Sequence, residues 1–182
     1  MKGVIFTFLA DMVEEQFGLE TWQKILDEAA PEHKGIYIAC ESYSDEELLQ
    51  LVGAACKLLD IPADKLVYAY GQNLFGSFTK NYSEFMLAHK ELKPFLQSIE
   101  EVIHVEVGKL FTSPIKRVFE YEDPAPDKLI MYYSSPRKMC QLAEGLIDGA
   151  ASYYSTPYQL NHSTCMHKGD ERCTLELTFG SK

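Results

Sequence analysis

No stretch of this chain approaches the roughly 20 consecutive apolar residues needed to cross a bilayer, so no spanning helix is expected. An excess of positive charge is also missing: the formal net charge is −10 and the isoelectric point is near 4.9. That balance argues against DNA, RNA and anionic membranes as partners, because their phosphates attract basic surfaces. There is no Gly-rich phosphate loop, no nucleophile elbow and no pair of carboxylates at a convincing catalytic spacing. An enzyme is therefore not expected. Five cysteines is an odd number, and their spacing is not that of a secreted disulfide scaffold. Reduced thiols in a cytoplasm fit better. The start of the chain, Lys2 and the apolar run Val4 to Ala10, has the outline of a leader peptide. Asp11, Glu14 and Glu15 follow with no small-residue cleavage site, so a helix of a cytoplasmic protein is expected instead. No repeat, low-complexity tract or linker divides the chain.

What the sequence does have is enough apolar and aromatic material, 46% and 12% of 182 residues, for one compact domain spanning 1–182. The first two thirds read as helices. Val4 to Phe17 and Leu19 to Ala29 are amphipathic stretches separated by Gly18 and closed by Pro31. Ser44 with Glu47 forms a capping box that opens a helix to about Leu59. Pro62 opens another, running toward Tyr70 before Gly71 loosens it. Phe95 to Phe111 carries Ile99, Ile103, Val107 and Leu110 along one face, and Pro114 ends that run. Beyond it the period changes. Lys116 to Tyr121 and Lys128 to Tyr133 read as a hairpin joined by a turn over Glu122 to Asp127. Arg137 to Tyr154 returns to helical spacing, and Tyr158 to Asn161 and Thr174 to Phe179 alternate like strands. The expected class is α+β: an N-terminal helical part, then a small antiparallel sheet with a packed helix.

Two features in this frame carry chemistry. Tyr133-Ser134-Ser135-Pro136-Arg137 offers a guanidinium fork, which grips a carboxylate through two parallel hydrogen bonds, with hydroxyl donors at alternating positions. About thirty residues earlier stands His104, whose neutral imidazole can ligate iron. Alone, His104 reads as a core histidine. Gly108, one turn further along its stripe with Phe111, removes a side chain at a helix cost of about 1 kcal/mol, and open space beside a ligand would justify that cost. Together these are fittings for a planar cofactor with carboxylate arms and a metal centre, and haem is the candidate.

The pattern resembles the haem nitric oxide/oxygen-binding (H-NOX) family over essentially the whole chain. The resemblance runs from Met1-Lys2-Gly3-Val4-Ile5-Phe6 through Val102-Ile103-His104-Val105-Glu106-Val107 to Cys165-Met166-His167. It implies haem b buried between the helical part and the sheet, His104 as the proximal iron ligand, and Tyr133, Ser135 and Arg137 as holders of the propionates. It also places Ile5, Leu9, Phe78, Leu142 and Leu146 on the cofactor wall. Oxygen-binding members carry a tyrosine donor five residues past the Arg of the motif, where this chain has Leu142. The implied function is sensing of nitric oxide, with carbon monoxide also bound. Binding weakens the iron–His104 bond and the change regulates a histidine kinase or a cyclic-di-GMP enzyme in trans, since no output domain follows residue 182.

Cys140, His162, Cys165 and Cys173 form a second constellation. Three thiolates and an imidazole are a closed tetrahedral set of the structural-zinc kind, with Gly169 in the turn between Cys165 and Cys173. His167 is an alternative ligand to His162. Some H-NOX members carry a zinc cluster at these positions, and oxidation of its thiolates would expel the metal. Cys56, alone in a helix, reads as core. The alternative reading of the whole is a zinc-bearing domain that binds a small hydrocarbon or acts as a scaffold without haem, since the segment from Tyr133 onward is also similar to such domains.

Overall fold

The computed structural model describes residues 1–105 and 117–180. Helices α1 (Gly3–Phe17) and α2 (Leu19–Ala29) meet at Gly18, whose φ of 86° suits glycine, and α2 closes on left-handed Ala30 just before Pro31. The two helices expected from the apolar spacing are thus present at the expected bounds. Helix α3 (Asp45–Leu59) starts at Ser44, whose hydroxyl accepts the Glu46 N–H at 3.1 Å. The reciprocal half of the expected capping box is absent, because Glu47 is used elsewhere. Its buried carboxylate turns inward and accepts the His33 N–H at 3.0 Å, the His33 Nδ1–H at 2.9 Å and the Tyr37 hydroxyl at 3.0 Å, fastening the 31–44 loop to α3.

Helix α4 (Ala63–Asn81) runs straight through Gly71 rather than loosening there. The glycine is a point of close approach. A Cβ on Gly71 would lie 2.5 Å from the Leu142 carbonyl oxygen, and one on Gly145 would lie 2.1 Å from that of Tyr68. Both glycines therefore let α4 and α7 (Cys140–Tyr153) cross backbone to backbone. Short α5 (Ser83–Leu87) and α6 (Leu92–Ser98) follow. After α6 the chain takes one wide turn over Ile99–Ile103, in which the His104 N–H reaches back to the Ile99 carbonyl. Such a turn commonly marks a functional site. The helix expected over Phe95 to Phe111 is therefore interrupted, and its part beyond residue 105, with Gly108, Phe111, Pro114 and Lys116, lies outside the described residues.

The sheet is antiparallel in the order β1-β2-β4-β3, formed by β1 (Phe119–Ala125), β2 (Lys128–Tyr133), β3 (Tyr158–Thr164) and β4 (Cys173–Phe179). The β1–β2 hairpin is tighter than expected, with pairing that continues to Ala125 opposite Lys128. Helix α7 starts at Cys140, not Arg137, because left-handed Lys138 breaks the chain before it. Two apolar cores result. One gathers Phe6, Leu9, Met12, Ile25, Leu48, Leu51 and Tyr70 from α1 to α4. The other packs α6 and α7 against the inward residues Leu129, Met131, Leu175 and Leu177 of β2 and β4. Phe78 of α4 and Leu146 of α7 border both.

The crossing predicts opposite effects for two glycines of ordinary appearance. Gly145→Ala should lower stability in a denaturant titration by about 3 kcal/mol, as forced overpacking does. Gly76→Ala, whose added methyl meets nothing within 4 Å in α4, should raise it by up to about 1 kcal/mol.

Burial works to raise the Glu47 carboxyl, but its three hydrogen bonds outweigh that and hold it below the usual carboxylate range. Its stabilising contribution is then complete above the unfolded value of about 4.3 and is lost as pH falls through the lower folded value. Denaturant stability measured from about pH 6 down to pH 3 should therefore decline, and Glu47→Gln should flatten the decline.

Candidate haem and metal sites

The turn after β2 carries Tyr133, Ser135 and Arg137 in different environments. Tyr133 is buried beside Phe119, its phenol oxygen accepting the Met139 N–H at 3.0 Å. Burial pushes that phenol above its usual range, against the pull of hydrogen bonds from Ser135 and Met139, so it stays a neutral donor. Ser135 is buried and caps the Arg137 N–H at 3.3 Å. Arg137 reaches out to the helical half, where its Nε donates to Asp45 Oδ2 at 2.7 Å. The other oxygen of Asp45 accepts the Met1 ammonium at 2.7 Å. Arg137, Asp45 and Met1 edge a groove of about 380 Å³, lined also by Glu46, Leu49, Pro136 and Met139. Nε alone of the guanidinium is engaged among the described residues, which leaves the two terminal nitrogens to fork onto a carboxylate.

His104 is partly exposed, and its Nδ1 lies 3.1 Å from Glu100 Oε1. A carboxylate only accepts, so Nδ1 carries a proton, and in the neutral ring Nε2 presents its lone pair. The donor set thus fits haem: a free imidazole lone pair for iron, and uncommitted guanidinium N–H groups with a neutral phenol for anionic arms.

Of the expected wall residues, Leu9 is fully buried, while Ile5, Phe78, Leu142 and Leu146 are partly buried against the first core. Tyr70 lies among them, but its hydroxyl is already donated to the Ile5 carbonyl. Among the described residues, no hydrogen bond joins His104 directly to the Tyr133 motif. The connection runs through Glu100, which sequence reasoning overlooked although it stands four residues before His104 on one helix. Asp45 and Glu144 were also missed. Neither has a local sequence signal, since their partners lie far away in the chain.

At the N-terminal end of α7, Cys140, His162, Cys165 and Cys173 present ligand atoms that all lie within 4.8 Å of one another. Cys140 opens α7, His162 sits in β3, Cys165 follows β3, and Cys173 opens β4 after a turn through left-handed Gly169. His162 Nδ1 lies 2.6 Å from Glu144 Oε1, which fixes the tautomer, and the opposite atom, Nε2, is buried with no partner among the described residues. Burial first, then the neighbouring Cys173 and Cys165, push the Cys140 thiol well above its usual range. Three adjacent sulfurs whose joint ionisation burial opposes, beside a buried imidazole lone pair, are a set that a bound cation would satisfy, and the set fits zinc. His167 lies outside this group, and its Nε2 is bound to the Lys138 carbonyl at 2.6 Å. Cys56 is only half-buried, and Cys40, which the sequence reading left unassigned, is exposed in the loop before α3.

The sequence profile of the Haem-NO-binding family matches residues 2–162. The H-NOX protein of Shewanella oneidensis in its Fe(II)NO ligation state is 33% identical over the whole of both chains, with a TM-score of 0.93. Unliganded Fe(II) H-NOX from K. algicida is 28% identical, covering 100% of this chain and 98% of that one, with a TM-score of 0.90. H-NOX from Shewanella woodyi, bound to IWP-051 in its Fe(II)CO state, is 29% identical over 99% and 95% of the two chains, with a TM-score of 0.86. Fold and family profile together define a haem-based gas-sensing domain, not a catalyst. The chain belongs to the haem–NO-binding, or H-NOX, family. A haem-free zinc domain confined to the segment after Tyr133 would leave the earlier match unexplained.

The cysteine cluster predicts one zinc per chain by elemental analysis. His162→Ala or Cys140→Ser should abolish tight binding in a chelator competition. Glu144→Gln should weaken it by about tenfold, the low end for loss of a group that orients a ligand.

Proposed function

We propose that this H-NOX domain is a nitric oxide sensor that discriminates against dioxygen. His104 holds the haem through Nε2, while Tyr133, Ser135 and Arg137 hold its propionates. Ile5, Leu9, Phe78, Leu142 and Leu146 line its pocket. Haem held there would supply a ferrous iron able to bind nitric oxide, or carbon monoxide, at the expense of its bond to His104. The protein responds through the segment that carries His104. Two arrangements of that segment, tethered and released, are what a ligand-driven switch needs.

The observation that carries the selectivity is the apolar character of α7 where it faces the first core. Leu142 stands where a donor would be needed, and the nearby Tyr70 hydroxyl is spent on the Ile5 carbonyl. Bound dioxygen is polar and depends on such a donor, whereas nitric oxide binds ferrous haem tightly without one. The signal passes in trans to a histidine kinase or a cyclic-di-GMP enzyme in the cytoplasm. No helix among the described residues is long and apolar enough to cross a membrane. Zinc at Cys140, His162, Cys165 and Cys173 holds α7 to β3 and β4 and adds a thiol-based redox input, since oxidised thiols release the metal.

An anaerobic visible spectrum of the reduced, haem-loaded protein tests this reading. A five-coordinate ferrous form that becomes a five-coordinate nitric oxide complex, with no stable dioxygen complex in air, is expected. Leu142→Tyr should confer measurable dioxygen binding. A wild-type protein that binds dioxygen stably would overturn the selectivity.

A further inference from the structure

Glu100 is a buried carboxylate, its side chain 4% exposed, on the wide turn that leads into His104. Its Oε1 receives three donors: the His104 Nδ1–H at 3.1 Å, the Val118 N–H at 3.0 Å and the Phe119 N–H at 2.8 Å. An exposed Glu–His pair four residues apart would contribute only a few tenths of a kcal/mol to a helix. This one differs because its carboxylate is out of water and also holds two amides from 18 and 19 residues further along the chain. Those amides belong to the segment that enters β1. Val118 in turn accepts the Ser134 N–H at 2.9 Å, and Phe119 pairs with Tyr133. The path from His104 to the Tyr133–Arg137 turn is therefore one carboxylate and one strand pairing long.

We propose that Glu100 is a positioning residue for His104. Its carboxylate holds the Nδ1 proton of the imidazole, strengthens the bond that Nε2 makes to iron, and ties that bond to the start of β1. This rests on the reading of His104 as the iron ligand. A carboxylate on the far nitrogen draws the Nδ1 proton toward itself and leaves more charge on the ring, which makes Nε2 a stronger donor and stabilises the oxidised metal. Glu100 thereby sets how hard nitric oxide must pull before His104 lets go. When His104 does move, the same oxygen transmits its displacement to Val118 and Phe119.

The decisive variant is Glu100→Gln in the full-length, haem-loaded chain. The amide oxygen keeps an acceptor for the backbone amides but loses the charge. The iron–His104 stretch in the ferrous resonance Raman spectrum should fall in frequency, and the ferric/ferrous potential should rise. Conversion of the nitric oxide complex from six to five coordination should be about tenfold faster, the low end for loss of an outer partner of a metal ligand. A variant that holds haem with stretch and potential both unchanged overturns the proposal while leaving His104 as ligand. If the variant does not fold, the wild type decides. In its diamagnetic CO form, labelled with ¹⁵N-histidine, the His104 Nδ1 proton should be visible and slow to exchange, and free exchange with water refutes the proposal. Absence of any iron–histidine stretch from the ferrous wild type would instead overturn the ligation on which the proposal stands.

Discussion

The backbone-to-backbone crossing of α4 over α7 is the constraint on which the rest depends. A methyl at Gly145 would sit 2.1 Å from the Tyr68 carbonyl oxygen, so only glycine permits the approach. Each such glycine costs about 1 kcal/mol of helix propensity relative to alanine, and the crossing repays it by welding the helical half to the sheet half. Phe78 and Leu146 then border both cores, and Leu142 faces the first core from α7. The proposed haem wall is thus a by-product of how closely two helices meet.

Buried and half-buried carboxylates supply the remaining joints. Glu47 fastens the 31–44 loop to α3, and Asp45 links the Met1 ammonium to Arg137, which lies 92 residues beyond Asp45 in sequence. Glu100 ties the His104 segment to β1, and Glu144 orients His162. A net charge of −10 is therefore not only a solvated surface. Several of its members are acceptors that collect donors from distant segments, and each would be costly to bury without them. The pattern also separates two layers at each proposed metal site: a ligand the sequence exposes to inspection, and a carboxylate behind it that fixes the tautomer.

Most of the fold was legible because it is local. Gly18, Ala30 before Pro31, and Ser44 mark helix ends through short-range rules, and the alternation of β2 and β4 reads directly as one buried face. The misreadings share one cause. Gly71 looks like a breaker and Glu47 like half of a capping box when only neighbours are considered, yet both are committed to partners elsewhere in the chain. The wide turn at 99–103 has no composition signal at all.

By itself the sequence determined the residue types offered to the proposed sites: a histidine at 104, hydroxyls and a guanidinium over Tyr133–Arg137, and cysteines accompanied by two candidate histidines near the C-terminus. Tertiary structure alone decided which ring nitrogen is left free, which of two histidines joins the cysteines, and which carboxylate stands behind each imidazole. Those outcomes depend on distances between segments that no local spacing encodes, since hydrogen bonds act over about 3 Å whatever the separation along the chain.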